Sequence, residues 1–410
     1  MAQVIYQILD SYYLKIEKFS KLPIIWSRKS HRVVAVHNPK ELAGWGLDCL
    51  VTMGICVLLP KLAQLDYVFR KYMELGHYPN QDVFATPMQM LSVAISILTC
   101  GGAICLSCFA LICQDEAVST INSLFDMEEL LVSRAEIYRG KLTPRETRLV
   151  KIFSYVPLLW AYWAPTVGIF GVIEGMDPLT FVVERFLQPD WKSYSLLWYL
   201  GFKVFSVVMV ALATLSSGRV FLAAGCIFVC PAWLLRHDIR LLGKDYDAMR
   251  KSEEQQFRIY IILYNTIIIG FARLGPYLAV IAAFLLIVCG SAIIFCNVVT
   301  ITMRSHFPLN VYPMFLVAMV IITIILNSVL TFVAECTELS ERMVKFWVSD
   351  VDSKMGTVAG KIYRKRLRAM RPVEIYVGFG REIQMKISKE FVCIYNQAII
   401  DYTVKALLQI

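Results

Sequence analysis

The chain has 410 residues, of which 57% are hydrophobic and 18% charged, and a formal net charge of +9. A soluble domain of this size carries about a quarter charged residues, spread at helical or strand periods, whereas apolar blocks longer than ~18 uncharged positions mark membrane spans. Such blocks recur here, which excludes a soluble globular domain and predicts an all-α, polytopic membrane protein.

Residues 1–40 read as a cytosolic segment and not as a signal peptide. Lys15, Lys18 and Lys21 follow the apolar positions instead of preceding them, and no small-residue cleavage site appears. Ile5, Leu9, Tyr12, Ile16 and Phe19 recur at helical spacing. An amphipathic helix lying in the membrane interface has that pattern, and so does a helix packed on the rest of the protein.

Seven spans are predicted, over 42–59, 83–113, 152–173, 195–230, 276–303, 311–334 and 391–410. The second, third, fifth and sixth carry no charged residue. Residues 41–334 form a six-helix bundle with cytosolic extensions, 335–385 a set of cytosolic anchor helices, and 386–410 the seventh span. The uncharged run 259–272, bracketed by Arg258 and Arg273, would cover only ~21 Å as a helix. It is therefore expected to be a buried or interfacial helix rather than a span.

Charge sets the direction. With the N-terminus inside, 32 of the 41 Lys and Arg fall on cytosolic segments, and six (Lys61, Arg70, Lys71, Arg185, Lys192, Arg304) fall on external loops. The C-terminus is then extracellular. Asp48 and Arg219, in or near spans one and four, are expected as structural salt-bridge or interface positions.

Catalytic signatures are absent. There is no nucleotide-binding loop, HExxH, GxSxG or glycine-rich dinucleotide turn, and the five histidines are scattered. No enzyme, cofactor or metal is expected. The twelve cysteines sit in or beside apolar runs, so a disulfide scaffold is not expected either. Cys105-Leu-Ser-Cys108 has the spacing of a redox or zinc pair, but no second pair lies nearby. The basic residues flank spans, which points to lipid headgroups and a packed helical layer, not to nucleic acid.

A G-protein-coupled receptor would place its N-terminus outside. It would also carry an acidic-Arg-aromatic triplet after span three and Asn-Pro-x-x-Tyr in span seven, and both are missing. The chain ends Tyr402-Thr403-Val404-Lys405-Ala406-Leu407-Leu408-Gln409-Ile410. This resembles the end of insect gustatory receptors and the odorant co-receptor: Thr-Tyr, five apolar residues, then Gln and an apolar residue. The first two residues are swapped and Lys405 interrupts the apolar five. Arg371-Pro372-Val373-Glu374-Ile375 and Gly378-Phe379-Gly380 also resemble that superfamily's approach to its last span.

The resemblance implies a chemosensory, ligand-gated, non-selective cation channel in the plasma membrane. It implies a homotetramer, or a heterotetramer with a co-receptor, opened by a small organic tastant or odorant. Four copies of the last span would line the pore. Ala406, Gln409 and Ile410, related by i, i+3 and i+4, would form the lining, extended inward by Tyr402. Asp401 is placed for an i,i+4 ion pair with Lys405.

Candidate ligand-binding residues are the aromatic and polar side chains from the middle to the outer ends of spans two to six. They are Phe84, Met88, Gln89, Trp160, Tyr162, Trp163, Trp198, Tyr199, Phe202, Phe295, Asn297, Thr300, Tyr312 and Phe315. An interfacial aromatic belt has the same composition. With Lys203 the one charge read at this depth, an apolar ligand is expected rather than a sugar. Two other readings stay open: a secondary transporter, for which no internal repeat is seen, and a non-conducting seven-helix receptor or scaffold.

Overall fold

The computed structural model describes residues 2–16, 21–79, 82–134, 155, 161–187, 196–248, 253–302, 312–354, 361, 365, 368–370, 372–379 and 383–408. These are mostly helical, and six helices are long and apolar enough to cross a membrane, the architecture of a multi-pass membrane protein.

Local chemistry starts and stops these helices. Helix α1 is Ala2–Ile16. Helix α2, Pro39–Leu75, begins where the Asn38 side chain accepts from the Lys40 N–H, and ends at Gly76 in the left-handed conformation (φ 69°). Its middle, Asp48–Leu58, is π-helical. Helix α3, Pro87–Ile112, is capped by Thr86, and α4 follows at Gln114–Arg134. Proline at the first position of α2 and α3 costs no hydrogen bond. The third of the six, Ala161–Arg185, is broken: helix α5 (161–173) stops at a turn through Gly175 (φ 69°), and the short α6 (Pro178–Val182) is capped by Asp177 and packs against α2.

Helices α7 (Leu196–Ala248), α8 (Glu253–Thr302) and α9 (Tyr312–Lys354) contain 53, 50 and 43 residues. At 1.5 Å per residue each is more than twice as long as the ~30 Å hydrocarbon core. Their apolar windows, Leu197–Gly225, Gly275–Thr302 and Met319–Ser349, account for the spans. The run 259–272, expected as a buried or interfacial helix rather than a span, is helical, lies outside the apolar window of α8 and continues into it without a break. The helix passes through Pro276 without ending. Helix α10, Lys389–Leu408, is the last element and is not among the six apolar helices.

The surface is inverted relative to a soluble protein. Leu50, Ile55, Leu59, Leu62 and Phe69 of α2 are exposed, as are Leu197, Val204, Phe205 and Val208 of α7 and Ile321, Ile324 and Ile325 of α9. Apolar surface of this extent suits a lipid solvent.

The polar ends of the long helices are gathered into a layer with its own core. Ile5 and Leu9 of α1 meet Leu124 and Phe125 of α4, Leu234 and Leu235 of α7, and Met343 and Trp347 of α9. The apolar face of α1 is thus covered by protein, which is the second of its two readings. Arg32 joins Asp126 (2.6 Å) and Glu129 (3.1 Å) of α4, and Trp26 donates to Asp10 (2.8 Å). Burial, then the neighbouring Glu129 carboxylate, pushes the Tyr6 hydroxyl up to about 12.

The fold is not purely helical. Strands β1 (Ile24–Ser27) and β2 (Arg32–Ala35) form an antiparallel hairpin in the register Ile24↔Ala35 to Ser27↔Arg32. The Asn122 side chain accepts from the Val33 N–H (2.9 Å) and donates to its carbonyl (2.8 Å), occupying the free edge of β2. A second hairpin, β3 (Tyr376–Phe379) with β4 (Ile383–Lys386), packs against α8. It falls in the segment expected to be anchor helices. Lys386 ties it to Glu374 (2.9 Å) and to Glu341 of α9.

Helices α5 and α7 touch at Gly168, where a Cβ would lie 2.7 Å from the Val207 carbonyl oxygen and 3.2 Å from the Ala211 Cβ. Only glycine permits that approach. Gly168→Val is expected to destabilise the purified protein by about 1–3 kcal/mol, as overpacking does. The check is the fluorescence melt in detergent, and Gly171→Val is the control because a Cβ there meets nothing within 4 Å.

Candidate functional site

Two places collect polar side chains where apolar ones are expected. The first lies between α2, α3, α6 and α7. Proline after Thr86 and after Asp177 starts two helices there, and their caps bring backbone and side-chain polar groups to one level.

Lys61 of α2 is 1% exposed. Its ammonium donates to Ser92 Oγ (2.6 Å) and Gln64 Oε1 (3.1 Å). Gln64, also fully buried, donates from Nε2 to the Phe84 carbonyl (2.9 Å) and to Gln89 Oε1 (3.1 Å). Gln89 in turn donates to the Gly175 carbonyl.

The neighbouring half is built on Asp177, whose side chain is 0% exposed. Its Oδ2 accepts from the Thr180 N–H (3.1 Å), Thr180 Oγ1 (2.6 Å) and Ser206 Oγ (2.9 Å), and its Oδ1 from Lys203 Nζ (3.2 Å). Lys203 also donates to Thr180 Oγ1 (3.1 Å) and lies 6.0 Å from the centre of the Tyr199 ring.

Above this network Tyr67, Phe84 and Phe181 form an aromatic cluster, with ring centroids 5.1 to 6.4 Å apart. The Arg185 guanidinium sits 4.8 Å over the Tyr67 ring. Lys71 pairs with Asp82 at the rim. Burial works against the Asp82 carboxylate, but hydrogen bonds from Lys71, the Phe84 N–H and Tyr67 outweigh it and hold its pKa below the usual range.

No protein-family model matches the chain, and no curated protein matches it either.

The predicted ligand residues do not gather at one place. Met88 and Phe295 are brought together with Phe170, Met319 and the buried Leu91, Cys296 and Val299, beside the network that Gln89 joins. Phe202 is half-buried and Tyr199 adjoins Lys203. Tyr162, Trp163 and Trp198 instead face outward, 72%, 43% and 75% exposed, as an aromatic belt does. Asn297 turns toward α10, 3.5 Å from Thr403 Oγ1, and Thr300 Oγ1 bonds the Cys296 carbonyl (2.6 Å). Trp160 lies outside the described residues, as do the side chains of Tyr312 and Phe315.

Lys61, Gln64, Asp177, Thr180 and Ser206 were not singled out by sequence. Lys61 was read as an external-loop cation, but α2 continues as far as Leu75 and carries it inside the bundle. The available signal was Asp177-Pro178, a capping residue followed by proline at the first helical position.

The second polar place is α10. Its inner face is fixed by Tyr395, which donates to the Leu286 carbonyl (2.6 Å), and by Asn396, which donates to Asn327 Oδ1 (2.7 Å). Ile399 and Thr403 complete that face. The opposite stripe, Gln397, Asp401, Val404, Lys405 and Leu408, is exposed. Tyr402 is 60% exposed, Ala406 is half-buried at the margin of the packed face, and Gln409 and Ile410 lie outside the described residues. The expected Asp401–Lys405 pair is not formed. Asp401 accepts from Gln397 (2.9 Å), and the Lys405 ammonium lies 5.4 Å from the centre of the Tyr402 ring. Asp48 and Arg219 do pair, with each other, at 3.7 Å across α2 and α7.

Proposed function

We propose that the chain is a subunit of a ligand-gated, non-selective cation channel of the insect chemoreceptor type, with α10 as a seventh span lining a pore shared by four subunits. The N-terminus and the polar helical layer lie in the cytosol of a plasma-membrane protein, and a small organic ligand opens the pore from a site within the bundle.

The observation that carries this reading is the outer stripe of α10. A helix of 20 residues is long enough to span, and one of its faces is packed on α8 and α9. The other presents Gln397, Asp401 and Lys405. Charged side chains on a spanning helix do not face hydrocarbon; they face a water-filled path or a partner. Copies of the same helix around an aqueous axis satisfy them. The C-terminal Gln409 motif supports the same placement, and the half-buried Ala406 moves the centre of the face toward Asp401 and Val404.

Whole-cell recording from cells expressing the chain, alone and with candidate co-receptor subunits, tests the reading with a panel of small organic compounds. Evoked currents should carry sodium and potassium about equally. Asp401→Asn and Gln409→Ala should each change unitary conductance or permeability ratio. Currents indifferent to both substitutions, or no evoked current in any combination, would remove the channel assignment.

A further inference from the structure

The hairpin of β1 and β2 runs along α4 and carries an exposed basic tip. His37 Nε2 lies 3.2 Å from Asp115 Oδ1, Asn122 holds Val33, and Arg32 reaches Asp126 and Glu129. From Asp115 to Glu129 the helix rises about 21 Å. The turn between the strands is therefore held far along α4 from the end of the apolar α3, in the polar layer. Its residues Arg28, Lys29, Ser30 and His31 are all exposed. His31 has a left-handed backbone (φ 49°), and its ring stacks on Tyr6 of α1, the centroids 5.3 Å apart.

Arg28-Lys29-Ser30 is a serine directly preceded by two cations, on a turn that an enzyme can reach. Serine/threonine kinases that select basic substrates read such an arrangement by complementary charge beside their catalytic site. The same Arg-Lys-Ser triplet stands at 250–252, between α7 and α8. What gives Ser30 a consequence is Arg32, two residues on. Its guanidinium joins Asp126 (2.6 Å) and Glu129 (3.1 Å) of α4, and it donates to the carbonyl of His31 (3.1 Å), the residue beside Ser30. Tyr6 donates to the same Glu129 (3.3 Å), so α1, the hairpin and α4 meet at one ion cluster.

We infer that Ser30 is a phosphorylation site for a serine/threonine kinase of basic specificity, and that its phosphate releases the hairpin from α4. This adds a means of regulation to the proposed function, and rests on it for placing the layer in the cytosol, where ATP and kinases are. In the transfer, Ser30 Oγ forms a bond to the γ-phosphorus of ATP as the bond from that phosphorus to the β–γ bridging oxygen breaks. ADP leaves, and the hydroxyl proton passes to the kinase's catalytic aspartate. The product carries about −1.5 to −2 charges at neutral pH and three strong acceptor oxygens. It repels Asp126 and Glu129, and it offers Arg32 a bidentate anionic partner in their place. Both effects act against the contacts that hold β2 on α4.

The test gives the purified full-length chain, in detergent, ATP and the catalytic subunit of a kinase of basic specificity, and locates phosphate by peptide mass spectrometry. Ser30 should be phosphorylated, and Ser30→Ala should remove phosphate from that peptide. Arg28→Ala with Lys29→Ala should slow the modification by roughly tenfold or more, as loss of complementary charge does. Ser252→Ala should leave it unchanged. In the phosphorylated chain, amide exchange over 24–36 should quicken by about two- to fivefold, as loss of a partly exposed ion pair does. Asp126→Asn with Glu129→Gln should show the same quickening without phosphate, and phosphorylation should then add little. No phosphate on Ser30, modification indifferent to Arg28 and Lys29, or exchange unchanged by the phosphate overturns the assignment. Phosphate on Ser30 of the chain isolated from expressing cells, without evoked current, leaves the site standing and removes the channel. Evoked current from cells whose chain carries no phosphate there does the reverse.

Discussion

Asp177→Ala is expected to be among the most destabilising single substitutions in the bundle, by about 3–5 kcal/mol, the range for breaking one side of a buried ion pair. The carboxylate performs two tasks at once. It caps the first turn of α6 through the Thr180 N–H, and it is the counter-ion of Lys203 while bonding Ser206 on α7. Loss of the cap alone costs about 1 kcal/mol. The remainder comes from leaving two ammonium groups, Lys203 and Lys61, without a carboxylate between them. Asp177→Asn separates the two tasks, because asparagine caps a helix as well as aspartate does. It should lose most of what the alanine variant loses. Combining Asp177→Asn with Lys203→Met should then recover part of that loss, since the pair is removed together. The measurement is the fluorescence melt in detergent. An Asp177→Asn variant as stable as the unaltered chain would show that the cap, and not the charge, is what matters.

The prediction depends on a residue that hydropathy does not single out, which shows where the sequence was legible. Spans are declared by long uncharged blocks, and the second, fourth and fifth predicted ranges coincide closely with apolar helices, because lipid solvation acts on the sum over some twenty residues. The first helix instead runs on to Leu75, and the sixth apolar window is displaced to Met319–Ser349. The third is shifted and broken at Gly175, whose left-handed conformation ends α5. The seventh is a helix, but its Asp401 and Lys405 keep it from declaring itself by hydropathy. Positions set by a single neighbour were not legible. Lys61 looks like a loop cation because charge ends an apolar block, yet two side chains 3 and 31 residues away hold it inside. The hairpins were also missed. Ile24–Ser27 and Arg32–Ala35 are four residues each, too short for a period of two to stand out, and are fixed by Asn122 from a distant helix. Conversely, Met88 and Phe295 share one apolar cluster and Gln89 joins the polar network beside it, because side chains at one level of neighbouring spans converge when the spans pack as a bundle.

In the polar layer the opposite kind of substitution is expected to stabilise. Asp238 of α7 is 0% exposed, and among the described residues neither of its carboxylate oxygens finds a hydrogen-bond donor. Burial, then the nearby Glu128 of α4, raises its pKa well above the usual carboxylate range. In the unfolded chain the group returns to about 3.9. Between those two values the folded state holds a proton that the unfolded state releases, so stability falls as pH rises through that window. The penalty is absent below about pH 4 and complete above the folded-state pKa. Asp238→Asn does not titrate and keeps the shape. It should therefore be more stable than the unaltered chain at neutral pH, by about 1–3 kcal/mol, and the gap should close on acidification toward pH 4. Melting curves across that range in one detergent measure it directly. A variant less stable at neutral pH, or a difference that ignores pH, would mean that Asp238 is ionised in the fold and has a cationic partner. If the gap closes as expected, acidification tightens the packing of α4 on α7, in the same layer where α1 and α9 meet them.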